Sequence, residues 1–127
     1  MVTDSISDMF NQIMNAQAVA RSVVWLPYIK MNIALAKILK NSHYLQGVKK
    51  RGLGAKARMG LVLQYFDDQP AIDGFKRISK PGCRIYTSAK EIKRGKGLLI
   101  LSTPQGLMEG KEAKKKGLGG EVIIRVW

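Results

Sequence analysis

The spacing of apolar residues changes near residue 43, and this change most restricts the possible fold. Before that point, Ile6, Met9, Phe10 and Ile13 recur at helical spacing, and residues 29–41 show the same period. After it, apolar runs of strand length are separated by turn signals rich in Asp, Pro and Gly. Two helices followed by many short strands are typical of an α+β fold.

The chain has 127 residues, which suits two small α/β subdomains packed together. We predict an N-terminal subdomain over residues 1–70 with the order α-β-α-β-β and room for one more strand. The second subdomain, residues 71–127, is predicted to be mostly β with a short helix over 109–116 that ends at Gly117. Residues 49–56 are predicted to form a basic loop, and residues 71–78 to pair with 59–66 as a hairpin across a turn that begins with Asp67 and Asp68. Met31, Leu35, Ile38 and Leu39 are the predicted buried stripe of the second helix.

Charge is the unusual part of the composition. Lys and Arg total 22 against 9 Asp and Glu, a formal net charge of +13. Repulsion between so many cations opposes compaction, and a polyanion would relieve it. Nucleic acid is the first candidate for that partner and an anionic membrane surface the second. No apolar run approaches the roughly 18 residues that a membrane span needs.

Residues that could support catalysis are scarce. Cys83 and His43 are the only residues of their types, so an intrachain disulfide, a thiolate zinc cluster and a multi-histidine metal site are all excluded. The glycines between 106 and 112 do not have the spacing of a phosphate-binding loop. The sequence therefore predicts no catalytic residue, no metal, no cofactor and no enzymatic activity.

Two polar segments of the second half are candidates for binding. Four cations lie around one turn, and the aromatic residues Phe75 and Tyr86 lie among them. The cations are Lys76, Arg77, Lys80 and Arg84. Cations hold phosphates, and an aromatic ring can stack on an unpaired base. A second segment carries two hydroxyls and an amide on a tight loop, with Ser102, Thr103, Gln105 and Gly106. Such groups can reach base edges, so the cations would set affinity and the loop specificity.

Three ordered segments resemble signatures of a known family. Residues 77–86, 101–108 and 112–122 are similar to the bacterial-type small-subunit ribosomal protein eight family, and the likeness is collinear over nearly the whole chain. The resemblance implies a structural constituent of the small ribosomal subunit that binds the central domain of 16S-type rRNA and is needed for assembly and translation. The implied location is the cytoplasmic small subunit of a bacterial-type ribosome, with an organellar ribosome left open.

The resemblance also implies roles for individual residues and partners. Ser102, Thr103, Gln105 and Gly106 would read the RNA, and Tyr86 and Arg84 would flank them. Gly119 and Gly120, which the sequence marks as a bend or a close backbone approach, would support the loop. Lys30 would hold a backbone phosphate. The implied partners are rRNA, neighbouring small-subunit proteins and the protein's own mRNA, with no membrane. Pro104 and Gln105 depart from the family's usual loop residues.

Three alternative functions remain open, the last of them because members of the similar family can repress their own message. The chain could bind nucleic acid without sequence preference, act as an RNA chaperone, or repress translation by binding an mRNA. A nonspecific binder would show strong salt dependence and equal affinity for unrelated sequences, because phosphate contacts carry no sequence information.

Overall fold

The computed structural model describes residues 4–93 and 95–127, and the chain divides into two compact units. One unit is Ser5–Ile72, called here the N-terminal unit. The other is Asp73–Trp127, which also includes Asp4 and is called the C-terminal unit. Both units combine helices with antiparallel sheet, and the predicted α+β class is confirmed.

The N-terminal unit begins with helix and ends in short strands. Its elements are α1 (Ser5–Ala18), β1 (Val23–Pro27), α2 (Lys30–Asn41), β2 (Leu45–Arg51), a 3₁₀ turn (Gly54–Lys56), β3 (Arg58–Leu63), β4 (Tyr65–Phe66) and β5 (Gln69–Pro70). Strands β1, β3 and β2 form an antiparallel sheet in that order, and β4 pairs with β5 across Asp67 and Asp68. α1 packs against β1 and α2 against β2.

Alternation along the strands separates the two faces of this sheet. Leu26 and Met59 pair across β1 and β3, and Val24 pairs with Leu61; all four are buried. The apolar face of α1, with Met9, Phe10 and Ile13, is fully buried, as are Leu35 and Leu39 of α2. The opposite sheet face carries Trp25 and charged residues.

Both long helices end in the same motif without glycine. After α1, the N–H of Arg21 donates to the Ala16 carbonyl at 2.9 Å, and Ala20 adopts a φ of 55°. After α2, Tyr44 donates to Leu39 at 2.9 Å and His43 has a φ of 65°. These are Schellman caps, in which a left-handed residue satisfies the last carbonyls of the helix.

Two predictions in the N-terminal half need correction. The basic loop over 49–56 is wrong in its first part, because β2 continues to Arg51 through pairing with β3. Met31, predicted to be buried, is 38% exposed, and Asn32 is buried instead, donating to the Pro27 carbonyl at 3.0 Å. The prediction for Met31 came from the helical spacing of apolar residues alone, whereas burial in the structure depends on which side of α2 packs against the sheet.

The C-terminal unit is built around its last strand. The elements are β6 (Phe75–Arg77), β7 (Tyr86–Thr87), a 3₁₀ turn (Ala89–Glu91), β8 (Leu98–Thr103), β9 (Gly106–Glu109), α3 (Gly110–Lys115) and β10 (Gly120–Val126). The strand order is β6-β10-β8-β9, and β7 also pairs with β10. The predicted hairpin between 59–66 and 71–78 is therefore wrong beyond Ala71, whose N–H still donates to the Gln64 carbonyl at 3.0 Å, because β6 pairs with β10.

One face of this sheet is covered within the unit. Leu101 of β8 and Met108 of β9 form a core with Ile92 and Ala113, against which Leu99 and Leu118 pack. α3 ends at the predicted glycine: Gly117 has a φ of 70°, and Leu118 donates to the Ala113 carbonyl at 2.8 Å. This cap turns the chain directly into β10.

Candidate nucleic-acid interface

Strand register brings two of the predicted binding residues into one row. Glu121 of β10 pairs with Tyr86 on one side and with Ser102 on the other. Directly paired residues point to the same face of a sheet, so Tyr86 and Ser102 flank Glu121 on the face away from Leu101. Tyr86 is 69% exposed and Ser102 is half-buried. We call Tyr86, Glu121 and Ser102 the polar row.

Glu121 anchors the turn that precedes Tyr86. Its carboxylate accepts a short hydrogen bond from the Ser79 hydroxyl and another from Arg84 Nη1 at 3.0 Å. The Ser79 hydroxyl in turn accepts the N–H of Ile85 at 3.1 Å. The Ser79 hydrogen bond, followed by Arg84, lowers the pKa of Glu121 below its ordinary value. The carboxylate therefore stays ionised and is largely neutralised by Arg84.

The two hydroxyls of the predicted reading loop have different surroundings. Thr103 pairs with Gly106 across a tight turn formed by Pro104 and Gln105. Its side chain is buried; Oγ1 donates to the Gly106 carbonyl at 2.8 Å and accepts the Gln105 N–H at 3.2 Å. This hydroxyl therefore stabilises the turn, and the RNA contact predicted for Thr103 stays a prediction. Gln105 and Gly106 are exposed at its tip.

Gly119 and Gly120 allow the strands of the polar row to approach closely. A Cβ on Gly119 would lie 2.9 Å from the Ser88 Cα, and one on Gly120 would lie 2.9 Å from the Ser102 carbonyl carbon. Real Cβ atoms do not reach such distances from backbone, so both positions require glycine. The predicted close backbone approach is confirmed at both residues.

The predicted cations also differ from one another. Lys76 and Lys80 are exposed, as is Lys30 at the start of α2 in the N-terminal unit. Arg77 differs from these lysines, because its side chain is only 7% exposed. Its Nε pairs with Asp4 at 3.1 Å, and Nη1 donates to the Ile123 carbonyl at 2.6 Å. Arg77 therefore holds Asp4 to the sheet of this unit, and the rRNA contact predicted for Arg77 stays a prediction.

A cationic groove that the sequence did not single out lies on the α3 side of the C-terminal sheet. It has a volume of about 580 Å³ and an apolar floor of Ile92 and Leu99. The cations around it are Lys93, Lys111, Lys114, Lys115 and Arg125. Two are already engaged, since Lys114 donates to the Ile92 carbonyl and Arg125 to the Lys96 carbonyl, both at 3.1 Å. The helical spacing of the lysines at 111, 114 and 115 is the feature of the sequence that could have indicated this groove.

Catalytic chemistry finds little support in the described residues. Within residues 4–93 and 95–127, no three His, Cys, Asp or Glu side chains lie together as metal ligands. Cys83 and His43 are both exposed. Among the described helices, none is long and apolar enough to cross a membrane. Arg94, part of the basic stretch before β8, lies outside the described residues.

Comparison with known proteins identifies a family over nearly the whole chain. The family model described as ribosomal protein S8 matches residues 4–127. The protein named small ribosomal subunit protein uS8 from Synechocystis is 39% identical over 130 residues, covering 98% of each chain. The proteins of the same name from Burkholderia mallei and Burkholderia pseudomallei are 39% identical over 128 residues, again with 98% coverage of both.

These matches define a class of RNA-binding structural proteins of the ribosome, not of enzymes. The chain belongs to the ribosomal protein S8 family. It is a structural component of the small subunit of bacterial-type ribosomes, which in bacteria lie in the cytoplasm. Its partners are accordingly rRNA and other ribosomal proteins.

Proposed function

We propose that the chain binds the central domain of small-subunit rRNA directly, and that this contact supports assembly of the subunit. The observation that carries the proposal is the polar row, which presents an exposed tyrosine ring and a serine hydroxyl on one sheet face, on either side of Glu121. A ring can stack on a base and a hydroxyl can bond a base edge or a 2′-hydroxyl. Together they favour an irregular RNA segment with unstacked bases over a regular duplex.

Charges and glycines around the polar row complete this surface. Lys80 supplies an exposed cation for a backbone phosphate, and Arg84, although paired with Glu121, keeps half of its side chain exposed. Lys76 is in register with Arg125 and therefore lies on the other face of this sheet, where it would hold a separate phosphate. Lys30, in the N-terminal unit, would hold another phosphate by itself. The exposed Pro104–Gly106 tip extends the surface, with Thr103 holding its shape from beneath. In this assignment the phosphate contacts set affinity, whereas Tyr86 and Ser102 select the RNA.

The proposal is tested by titrating the full chain with a labelled central-domain rRNA fragment and with random duplex of equal length. Tyr86→Ala should weaken binding of the fragment by about tenfold, the scale of one lost base stack, and change duplex binding little. Phe66→Ala is the matched control, because Phe66 is an exposed aromatic residue of the N-terminal unit at 55% exposure. Equal affinity of the unchanged chain for both RNAs would contradict the proposal.

Two further measurements distinguish general affinity for RNA from selection of a particular RNA. Lys30→Ala should weaken both RNAs alike and lower the slope of log K against log salt by about one. A folded segment of the chain's own mRNA, added as a competitor, should displace the fragment only if it presents a similar irregular structure. An mRNA that binds more tightly than the rRNA fragment would favour translational repression as the main role.

A further inference from the structure

The N-terminal sheet leaves one face open, and that face is basic. Trp25, Gly60 and Lys49 form one row across β1, β3 and β2, and Arg58 and Arg51 belong to the next row. Lys49, Arg51 and Arg58 are all exposed. We call Trp25, Lys49, Arg51, Arg58 and Gly60 the open sheet face.

An ordered stack lies at the centre of this face. The guanidinium carbon of Arg51 is 4.1 Å from the centroid of the Trp25 ring, a cation–π contact. The indole lies against Gly60, where a Cβ would come within 3.0 Å of two ring carbons. Arg58 Nη2 donates to the Trp25 carbonyl at 3.2 Å. The ring and the guanidinium are thus held in place before any ligand arrives.

The charge on this face is not compensated within its own unit. Residues 5–72 include nine basic and three acidic residues, and none of the acids falls on β1, β2 or β3. In the part of the chain that the structure describes, none of Lys49, Arg51 and Arg58 forms an ion pair. Three exposed cations beside a stacked indole therefore lack an anion.

A groove adjoins the stack along the edge strand β1. It has a volume of about 430 Å³, and Trp25 contributes to its lining together with Arg21, Gln12 and Asn15. Both amide side chains are exposed. An amide offers donors and an acceptor, which is the pattern that base edges also present.

We propose that the open sheet face binds an unpaired RNA nucleotide. The base stacks on the Arg51–Trp25 pair, Lys49 and Arg58 hold the flanking phosphates, and Gln12 and Asn15 reach the base edge from the groove. A protein with acidic side chains would match the charge, but a planar guanidinium on an indole matches a base, which has a flat face. The inference rests on the RNA-binding character of the family and is independent of the polar row.

Planarity at Arg51 provides the sharpest test. Arg51→Lys keeps the net charge but replaces a flat guanidinium by a compact ammonium, which cannot stack in the same way. Binding of the full chain to single-stranded oligouridine of about ten nucleotides is measured by anisotropy, and Arg51→Lys should weaken it by about tenfold. Lys37→Gln, an exposed lysine on α2, is the control and should change affinity by about twofold or less.

Fluorescence locates the bound base. In a Trp127→Phe background Trp25 is the remaining tryptophan, so stacking of a base nearby should quench its emission as oligouridine is added. Unchanged affinity in Arg51→Lys, or unquenched Trp25 emission at saturation, would overturn the proposal. Polyglutamate that displaces oligouridine and itself alters Trp25 emission would assign the face to an acidic protein instead, which also overturns it.

The two RNA surfaces can fail separately. Tyr86→Ala alters the polar row and should leave the quenching of Trp25 by oligouridine unchanged, because Trp25 reports only on the open sheet face. If Tyr86→Ala leaves the central-domain fragment equally well bound, the polar row is not the reading surface. The Arg51→Lys result on oligouridine still decides the open sheet face.

Discussion

Replacing Thr103 by valine removes one hydroxyl from the β8–β9 turn and leaves a side chain of similar size. Two hydrogen bonds disappear with it, to the Gly106 carbonyl at 2.8 Å and from the Gln105 N–H at 3.2 Å. Because Gln105 and Gly106 are exposed, water can satisfy both freed backbone groups. Each lost hydrogen bond then costs only its net contribution to stability after exchange with water. The free energy of unfolding should therefore fall by about 1–2 kcal/mol.

Ser102→Ala is the matched substitution, since it removes the neighbouring hydroxyl from the opposite face of the same strand. Ser102 is half-buried in the polar row, and we expect its loss to change the free energy of unfolding by about 0.5 kcal/mol or less. Its effect should fall on affinity for the central-domain fragment, with a loss of about 1–2 kcal/mol.

Urea denaturation followed by circular dichroism measures the stability of both variants, and anisotropy measures their RNA affinity. Thr103→Val should shift the urea midpoint with an unchanged slope, and Ser102→Ala should not. Suppose Thr103→Val kept the original midpoint and instead lost fragment affinity as Ser102→Ala does. Its hydroxyl would then contact RNA, and the structural role assigned here would be refuted.

Three further substitutions test the backbone and the charge network. Ala20→Gly should raise the free energy of unfolding by about 0.5–1 kcal/mol in urea melts, because glycine accepts the left-handed φ of 55° without strain; a destabilised variant would contradict this. Gly120→Ala should cost at least about 2 kcal/mol in the same assay, since its Cβ would collide with the Ser102 backbone. Because the pKa of Glu121 is lower in the folded state than its ordinary value of 4.5, the ionised carboxylate stabilises the fold fully at pH values above 4.5. This stabilisation is lost as the pH falls through the lower pKa of the folded state. Glu121→Gln should therefore flatten the acid side of the stability–pH curve, and an unchanged curve would argue against the network.

Local sequence signals predicted the elements well. The helices over 5–18, 30–41 and 110–115 lie within a few residues of the segments in which the sequence predicted them. Gly117 ends α3 as predicted, because a left-handed residue at that position is a local requirement. Such features depend on neighbours in the chain, which a single sequence contains.

The main error of the sequence predictions was in which strands pair with each other. The turn at Asp67 and Asp68 was correctly predicted, but β6 leaves the hairpin and pairs with β10 at the far end of the chain. Nothing near Phe75 indicates that choice. The stack of Arg51 on Trp25 was missed for the same reason, since it depends on β1 and β2 meeting on either side of β3.

By itself, the amino-acid sequence determined the positive charge, the α+β class, the scarcity of catalytic groups and the family signatures, because these follow from composition and local order. Only the tertiary structure decided which polar groups are available to RNA. Ser102 and Thr103 carry the same hydroxyl, yet strand alternation turns one towards the polar row and buries the other. Arg77 and Lys76 are both cations, but only Arg77 faces Asp4. Whether a polar side chain is exposed depends on the register of its strand and on residues far away in the sequence. Both are fixed only when the strands pair.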